Sequence, residues 1–237
     1  MENCHCFSNC KGCPASPRSV FNEISQQSSQ SLAENKVVIH YKKGQTLFHQ
    51  GTPAFGIYCI GSGKVKLSKV NEAGGETIYL IASEGELIGY QDYLLHPEYL
   101  TTATVLENCT ACFISNEYLH SFLLNQPSVA IHLLNQRTEA MEMASSYGHA
   151  SLYMSAKNRV ASLLFALGTS FGVEKDGKVK IDLRLTRHEM ASMIGTASET
   201  MIRSLSELKG QGILEQQGNF IFINDMKKLH DLSNSSH

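Results

Sequence analysis

Hydrophobic and polar positions predict a β-rich first half for this chain. From Lys36 to Ile114, short runs rich in Val, Ile, Tyr and Leu alternate with turn signals, spaced about ten residues apart as in all-β domains. The turn signals are Lys42-Lys43-Gly44, Gly51-Thr52-Pro53, Gly61-Ser62-Gly63, Ala73-Gly74-Gly75 and Glu84-Gly85-Glu86. The stretch Gly63–Val70 alternates apolar with polar residues, which predicts a strand with one face in water. Together these patterns predict an antiparallel β-barrel or jelly roll.

From Ser115 onwards the pattern becomes helical. Pro127 suits the first turn of a helix, and the chain then continues to Tyr147 without Gly or Pro. One face of this long helix carries a three-four spacing of Ile131, Leu134, Thr138 and Met141. This face predicts either a dimer seam or an amphipathic helix packed on its own barrel. A second helix is predicted from Ala156 to Phe171, with Val160, Leu163, Leu164 and Leu167 on one face.

Residues 186–214 predict a helix-turn-helix. Thr186–Glu189 has the pattern of a capping box, and Gly195 supplies a sharp turn. Thr196–Glu199 repeats the capping-box pattern, and the helix after it would bury Met201, Leu205 and Leu208. Two short capped helices around a glycine turn are typical of this motif. The segment Ile213–Ile223 contains Gly218-Asn219 between two β-prone runs, which predicts a hairpin wing.

The exposed face of the second helix would enter the major groove of DNA. Arg203 is long enough for a bidentate contact with guanine O6 and N7. Glu199 either accepts from cytosine N4 or serves only the capping box. Hydroxyl side chains and Arg187 are expected to contact phosphates, which position a protein without recognising sequence. The candidate DNA-binding residues are Thr186, Arg187, Thr196, Ser198, Glu199, Thr200, Ile202 and Arg203.

Composition excludes several classes of protein. Of the 237 residues, 42% are hydrophobic and 18% charged, which excludes wholesale disorder. Polar residues interrupt every hydrophobic stretch before it reaches the length of a bilayer span, and the first residues lack the pattern of a secretory signal. We therefore expect a cytoplasmic protein. No P-loop, nucleophile elbow, HExxH or dinucleotide fingerprint is present, so no enzyme is expected.

Charge is distributed unevenly along the chain. Lys and Arg number 9 against 13 Asp and Glu in residues 1–154, and 11 against 9 in residues 155–237. This difference fits a mildly basic C-terminal module on an acidic body, although it does not by itself identify a nucleic-acid binder.

The cysteines indicate metal or redox chemistry. The chain has seven, an odd number for a disulfide framework, and cytoplasmic thiols stay reduced. Four lie in the N-terminal head, Cys4–Cys13, which is followed by a polar stretch, Gln26–Ser31. Neither segment has the pattern of a packed element. In the barrel, Cys59 and Cys109 are expected to be small buried hydrophobic residues.

Five segments carry a family resemblance: Tyr41–Gly51, Tyr58–Val65, Gly85–Gly89, Leu185–Gly195 and Ser198–Arg203. They resemble the Crp/Fnr family of bacterial transcription regulators, and more closely its Cys-containing Fnr-like branch than its cyclic-AMP receptor branch. The resemblance extends from about Phe21 to Leu229 and implies an α+β fold. The implied domains are a Cys-rich head (1–20), a β-barrel or jelly-roll sensor (21–125), a long dimerisation helix (126–155) and a winged helix-turn-helix (156–237).

The resemblance also implies partners. Family members are typically homodimers that bind a two-fold symmetric DNA operator, and RNA polymerase is a further expected partner. Glu199 and Arg203 match the family's recognition positions, which implies half-sites with a TGA-like core. Ile202 departs from the Fnr-type pattern, which has Ser there.

Cyclic AMP is not expected as the effector. Cyclic-nucleotide-binding members carry a Glu just after the Gly89 position and an Arg-Ser pair some ten residues later. This chain has Tyr90 and Leu100-Thr101 instead. Without the Arg, a buried phosphate would have no charged partner, which is costly.

A [4Fe-4S] cluster is the effector site that the resemblance implies. Fnr-type members hold this oxygen-labile cluster with three N-terminal cysteines and one barrel cysteine, whose position Cys112 matches. Four thiolates are what such a cluster requires. The candidate ligands are Cys4, Cys6, Cys10, Cys13 and Cys112, with His5 as a further possibility. The head spacing differs from the Fnr-type spacing, so the three head ligands are not fixed, and the Cys10–Cys13 pair is favoured. A closed zinc site, a thiol switch, haem bound through a histidine and an organic ligand in the barrel remain alternatives. A further alternative is that no metal is bound and Cys112 is, like Cys59 and Cys109, a small buried residue.

Overall fold

The computed structural model describes residues 10–91, 96–151 and 154–233, and its first half is an antiparallel sheet. The strands are β1 (Lys36–Tyr41), β2 (Thr46–Phe48), β3 (Gly56–Val70), β4 (Glu76–Ala82), β5 (Leu87–Ile88) and β6 (Thr102–Ser115). Their order is β1-β6-β3-β4, with β2 beside β6 and β5 beside β3. The predicted jelly-roll-like arrangement is confirmed. Closure into a barrel is not, because β1 and β4 remain the edges of the sheet among the described residues.

The predicted turn at Gly61-Ser62-Gly63 is wrong, because these residues lie inside β3. The pairing of β3 with β6 shifts register between Ile60 and Val65, and Gly63 takes a φ of 86°. Bulges of this kind bend a strand without ending it. A second shift lies between Leu67 and Ser68 in the pairing with β4. Ser68, which the alternation predicts to face water, is buried like Leu67.

Aromatic side chains fill the interior of this sheet. The rings of Phe48 and Tyr99 stack with centroids 4.0 Å apart, and Tyr58 packs against Phe113. The Tyr99 hydroxyl donates to the carbonyl oxygen of Gly56 at 2.6 Å. The interior is therefore an apolar core with its buried hydroxyl groups satisfied.

The N-terminal segment is packed, contrary to the sequence expectation. Short 3₁₀ turns at Cys10–Gly12 and Ser16–Arg18 precede helix α1 (Gln26–Glu34). The Ser25 hydroxyl caps α1 by accepting from the backbone N–H of Ser28 at 3.1 Å. Leu32 is buried in a cluster with Phe21 and other apolar residues. The polar composition concealed this helix because only Ser29 and Leu32 of its nine residues are buried.

Two helices follow the sheet, α2 (Asn116–Asn125) and α3 (Pro127–Ser151). Pro127 begins α3, as predicted. Val129 and Leu133 of α3 are buried in the core of the first unit. Ile131, Leu134 and Met141 are 57%, 60% and 60% exposed. One side of this helix therefore packs on the chain's own core, and the apolar face with three-four spacing lies on another side.

The chain divides into two units, residues 1–140 and 141–237. The second unit contains α4 (Ala156–Phe171), β7 (Gly172–Lys175), β8 (Lys178–Ile181), α5 (Arg187–Met193), α6 (Ser198–Gly210), β9 (Leu214–Gln217), β10 (Phe220–Ile223) and α7 (Met226–Ser233). Helix α4 has the predicted bounds. The β7–β8 hairpin was not predicted, and it joins the wing in a sheet of order β7-β8-β10-β9. Of the helices in the described ranges, none is long and apolar enough to cross a membrane.

Candidate DNA interface and thiol site

The predicted capping box at the start of α5 is confirmed. The Thr186 hydroxyl oxygen accepts from the backbone N–H of Glu189 at 3.1 Å, and the backbone N–H of Thr186 donates to Glu189 Oε2 at 2.9 Å. The hydroxyl proton of Thr186 is also directed to Glu189 Oε2, at 3.0 Å. This threonine therefore fixes the first helix of the motif.

The predicted second capping box is wrong. The residue before α6 is Ala197, which has no side-chain cap. The Thr196 amide instead donates to the carbonyl oxygen of Ala191 at 3.0 Å. Thr196 thus completes the turn after α5, in which Gly195 has a φ of 60°, and α6 begins one residue later than a Thr196 cap requires. Glu199 is therefore not a capping-box partner of Thr196.

Helix α6 has one buried and one exposed side. Met201, Leu205 and Leu208 are buried, as predicted from their spacing. Glu199, Ile202 and Arg203 are exposed, Ile202 at 51%. Thr196, Ser198 and Thr200 are partly buried near the start of the helix. The side chains predicted to contact base edges are therefore available to solvent on one short helix.

Arg187 contacts the wing, which the sequence did not reveal. Its Nη2 donates to Gln216 Oε1, on β9, at 3.0 Å. Partial burial lowers the pKa of Arg187 by disfavouring its charged form. The guanidinium that is predicted to contact phosphate thus also joins the first helix of the motif to the wing.

The predicted wing hairpin is confirmed by the pairing of β9 with β10 around Gly218. Two cations lie over the Phe220 ring, Lys180 Nζ at 4.1 Å and the Arg184 guanidinium carbon at 4.8 Å from its centroid. Lys178 Nζ lies 2.5 Å from Glu215 Oε1, and this hydrogen bond lowers the pKa of Glu215. Basic side chains therefore cluster at the base of the wing.

A second candidate site is a cavity lined by four cysteines in the first unit. Cys10 and Cys13 come from the N-terminal turn, Cys59 from β3 and Cys112 from β6. Lys36 also lines the cavity, and its Nζ donates to Cys10 Sγ at 3.4 Å. The structure thus brings together three of the predicted thiol ligands and one cysteine that was predicted to be a simple core residue.

Cys59 and Cys109, both on the sheet, differ in their surroundings. Desolvation raises the pKa of Cys59 to about 12, and a hydrogen bond with Ser19 opposes the rise. Desolvation likewise raises the pKa of Cys109 to about 12, but Cys109 lies in the aromatic interior. The expectation of a small buried residue is therefore confirmed for Cys109, whereas Cys59 faces the head.

The remaining candidate ligands and the size of the cavity bear on which metal the thiols could bind. Cys4, Cys6 and His5 lie outside the described residues. Within the described ranges, no three His, Cys, Asp or Glu side chains converge closely enough to hold a metal ion. The cavity volume is about 30 Å³, room for roughly two water molecules. The four thiols are the donor set of a thiolate metal centre, and small movements of the Cys10–Cys13 turn would be needed to bring them to one ion.

Comparisons with known proteins match both parts of the chain. Residues 38–126 match the cyclic nucleotide-binding domain, and residues 158–232 match the Crp-like helix-turn-helix domain. An anaerobic regulatory protein of Pasteurella multocida is 26% identical over 234 residues, which is 98% of this chain and 85% of the relative. A CRP-like cAMP-activated global transcriptional regulator of Mycobacterium tuberculosis is 22% identical over 210 residues, 89% of this chain and 94% of the relative. The solved structure of FixK2 from Bradyrhizobium japonicum has a TM-score of 0.75 at 22% identity, over 85% of this chain and 99% of that chain.

A sheet domain of this kind followed by a winged helix-turn-helix defines the protein as a DNA-binding transcription regulator, not an enzyme. The two matched domains occur in the expected order and together cover 164 of the 237 residues. The chain belongs to the Crp/Fnr family of transcription regulators.

Proposed function

We propose that the chain is a dimeric regulator that recognises a two-fold symmetric operator with TGA-like half-sites. Glu199 and Arg203 supply the base contacts, supported by their exposure on α6 and by the absence of a capping role for Glu199. Arg203 would pair with guanine and Glu199 with cytosine. Arg187 and the hydroxyl residues of the motif would contact phosphates.

The exposed face of α3 supports the homodimer. Ile131 and Leu134 keep more than half of their surface in water, although Leu133 on the same helix is fully engaged in the core. An apolar stripe at three-four spacing is the pattern that a helix presents to a second copy of itself. The stripe continues through Ser145 and Gly148, so its second half contributes little apolar surface and the dimer affinity would be modest.

The effector site of this proposal is a redox- or gas-responsive [4Fe-4S] cluster held by head cysteines and Cys112. A single observation carries it: Cys10, Cys13 and Cys112 line one cavity, although Cys112 is distant from the head in sequence. The relative named an anaerobic regulatory protein aligns over almost the whole chain. When bound, a cluster would supply sensitivity to oxygen, and the nearby Lys36 would offset part of the negative charge of its thiolates.

Cluster assembly would control DNA binding through a conformational equilibrium. A modest dimer can be shifted towards the DNA-binding form by a ligand that favours that form by a few kcal/mol. The equilibrium that the cluster would shift is the one between monomer and a dimer formed through α3.

Cyclic AMP is not the effector in this proposal, despite the cAMP-activated relative. Leu100 and Thr101 offer no positive charge for a phosphate, and Thr101 is itself buried. The aromatic rings of Phe48, Tyr58 and Tyr99 already occupy the interior of the sheet. A buried phosphate would need a charged partner to offset its desolvation.

The cavity volume favours a second candidate, a structural zinc ion on the same thiols. A space of about 30 Å³ can be closed around one ion by small movements of the thiols, whereas a four-iron cluster requires the Cys10–Cys13 turn to move outwards. Four cysteine thiolates form a closed tetrahedral zinc site. The two candidates therefore differ in which metal the isolated protein contains.

Anaerobic purification followed by visible absorption and by iron, sulfide and zinc analysis tests the proposal. We expect a broad visible band with about four iron and four sulfide per chain, lost in air and in Cys112→Ala, together with weaker operator binding after air exposure. A colourless protein with one zinc per chain would replace the cluster by the zinc site. A protein with none of these elements would reject both.

A further inference from the structure

We propose that Cys59 is a metal ligand and completes a four-thiolate set with Cys10, Cys13 and Cys112. The proposal rests on the proposed function, because it names the fourth protein ligand of the same metal centre. It assigns a ligand role to a cysteine that the sequence predicts to be an ordinary core residue.

Strand register places Cys59 beside Cys112. In the antiparallel pairing of β3 with β6, the Cα atoms of these two residues are direct partners. Directly opposite residues point to the same face, with Cβ atoms about 4.5–5.5 Å apart. Any centre that takes Cys112 as a ligand therefore lies next to the Cys59 thiol.

The alternation of side chains along both strands directs the two thiols to the N-terminal segment. Ile57 and Ile114, two positions from Cys59 and Cys112 and therefore on the same face of the sheet, pack with the cluster that includes Phe21 and Leu32. Residues one position away, such as Tyr58 and Ala111, belong to the aromatic interior instead. Cys59 and Cys112 thus share the face that the head covers.

The head approaches Cys59 at several points. Ser19 forms a hydrogen bond with the Cys59 thiol, and Cys10 and Cys13 are near enough to interact with it electrostatically. All four cysteines line the same cavity. Lys36 is the nearby cation, with Nζ 3.4 Å from Cys10 Sγ. The site therefore reaches four thiols with only two head cysteines, which explains how a head whose spacing departs from the Fnr-type pattern can still complete the set.

Metal content of matched variants tests the proposal. The wild-type chain, Cys59→Ala, Cys109→Ala and the double variant Cys4→Ala/Cys6→Ala are purified anaerobically and analysed for iron, sulfide, zinc and visible absorption. Cys109→Ala is the matched control, because it removes a desolvated thiol of the same sheet that faces the aromatic interior. Circular dichroism melting of the metal-free proteins shows whether each variant folds.

We expect Cys59→Ala to lose metal, with affinity lowered by more than the roughly 10- to 100-fold that loss of a residue orienting a ligand causes, while its metal-free form melts like that of Cys109→Ala. Cys109→Ala and the Cys4/Cys6 double variant should keep the wild-type metal content and spectrum. If Cys59→Ala folds but fails to bind metal and Cys59→Ser restores none, the ligand role is supported. A Cys59→Ala protein with wild-type metal content and spectrum would overturn this proposal alone, as would loss of metal from the Cys4/Cys6 variant with Cys59→Ala unaffected. A wild-type chain without iron, sulfide or zinc would reject the proposed metal centre and the role of Cys59 with it.

Discussion

Replacing Arg203 by Ala should remove recognition of one base pair without harming the fold. The side chain is exposed on α6, away from the buried Met201 and Leu205. Surface substitutions of this kind usually change the free energy of unfolding by less than about 0.5 kcal/mol. The expected loss is therefore confined to the complex with DNA.

The magnitude follows from the contact that Arg203 is positioned to make. A bidentate arginine–guanine pair discriminates against the wrong base by roughly 1–3 kcal/mol. This corresponds to a dissociation constant about 5- to 150-fold higher for each affected half-site. Because Arg203→Ala no longer distinguishes the base, the variant should bind the natural half-site and one with that G·C pair replaced equally well.

Fluorescence anisotropy at fixed salt concentration measures the effect. The wild type and the variant are each titrated with the operator, with the operator altered at the guanine, and with random DNA. Lys209→Ala is the matched control, since it removes an exposed positive charge from the last turn of the same helix and should weaken all three DNAs by a similar factor. If Arg203→Ala also weakens all three by the same factor, the base-recognition role of Arg203 is refuted.

Three further substitutions test other parts of the structure. Thr186→Ala removes the cap of α5 and should lower the free energy of unfolding by about 1 kcal/mol, seen as a lower melting temperature than that of Thr200→Ala; equal melting temperatures would contradict the capping role. Gly63→Ala forces a Cβ against the Asn108 backbone at a φ of 86° and should destabilise the first unit by roughly 1–3 kcal/mol, whereas unchanged melting would mean that the bulge relaxes freely. Leu134→Glu should lower the dimer fraction in sedimentation experiments without changing the melting of the monomer, because Leu134 is 60% exposed; the exposed Gln136→Glu on the same helix is the control, and an unchanged dimer fraction would remove α3 from the interface.

Local patterns predicted the elements whose signals lie within a few residues. The bounds of α4 follow from its apolar face and from Gly172, which directly follows the last helical residue. The wing follows from Gly218-Asn219 between two β-prone runs. The first capping box was predicted because both of its hydrogen bonds join residues three apart. In each case the residues that decide the structure are neighbours in the sequence.

The errors arose where a competing partner, near in the sequence in one case and distant in the other, decided the outcome. Thr196–Glu199 has the capping-box pattern, but the Thr196 amide pairs with Ala191 and so belongs to the preceding turn. The polar segment Gln26–Ser31 forms a helix because Leu32 finds a buried cluster built from the rest of the first unit. A sequence pattern does not show such partners, so it could not distinguish these cases from a capped helix or a loop.

The thiol cavity depends on the bulge in β3, which no local pattern specifies. Before the bulge, Tyr58 and Ile60 face the aromatic interior, and Cys59 faces the head; after it, Val65 and Leu67 face the interior. Side chains of a regular strand alternate with a period of two, so without the register shift Cys59 would share a face with Val65. Either the thiol would enter the aromatic core or the valine would leave it. The register shifts between Ile60 and Val65, where Gly63 takes a positive φ, let one strand present a thiol to the head at one end and apolar side chains to the core at the other. Gly63 therefore contributes to the thiol site through the register of β3 rather than through contact with a metal.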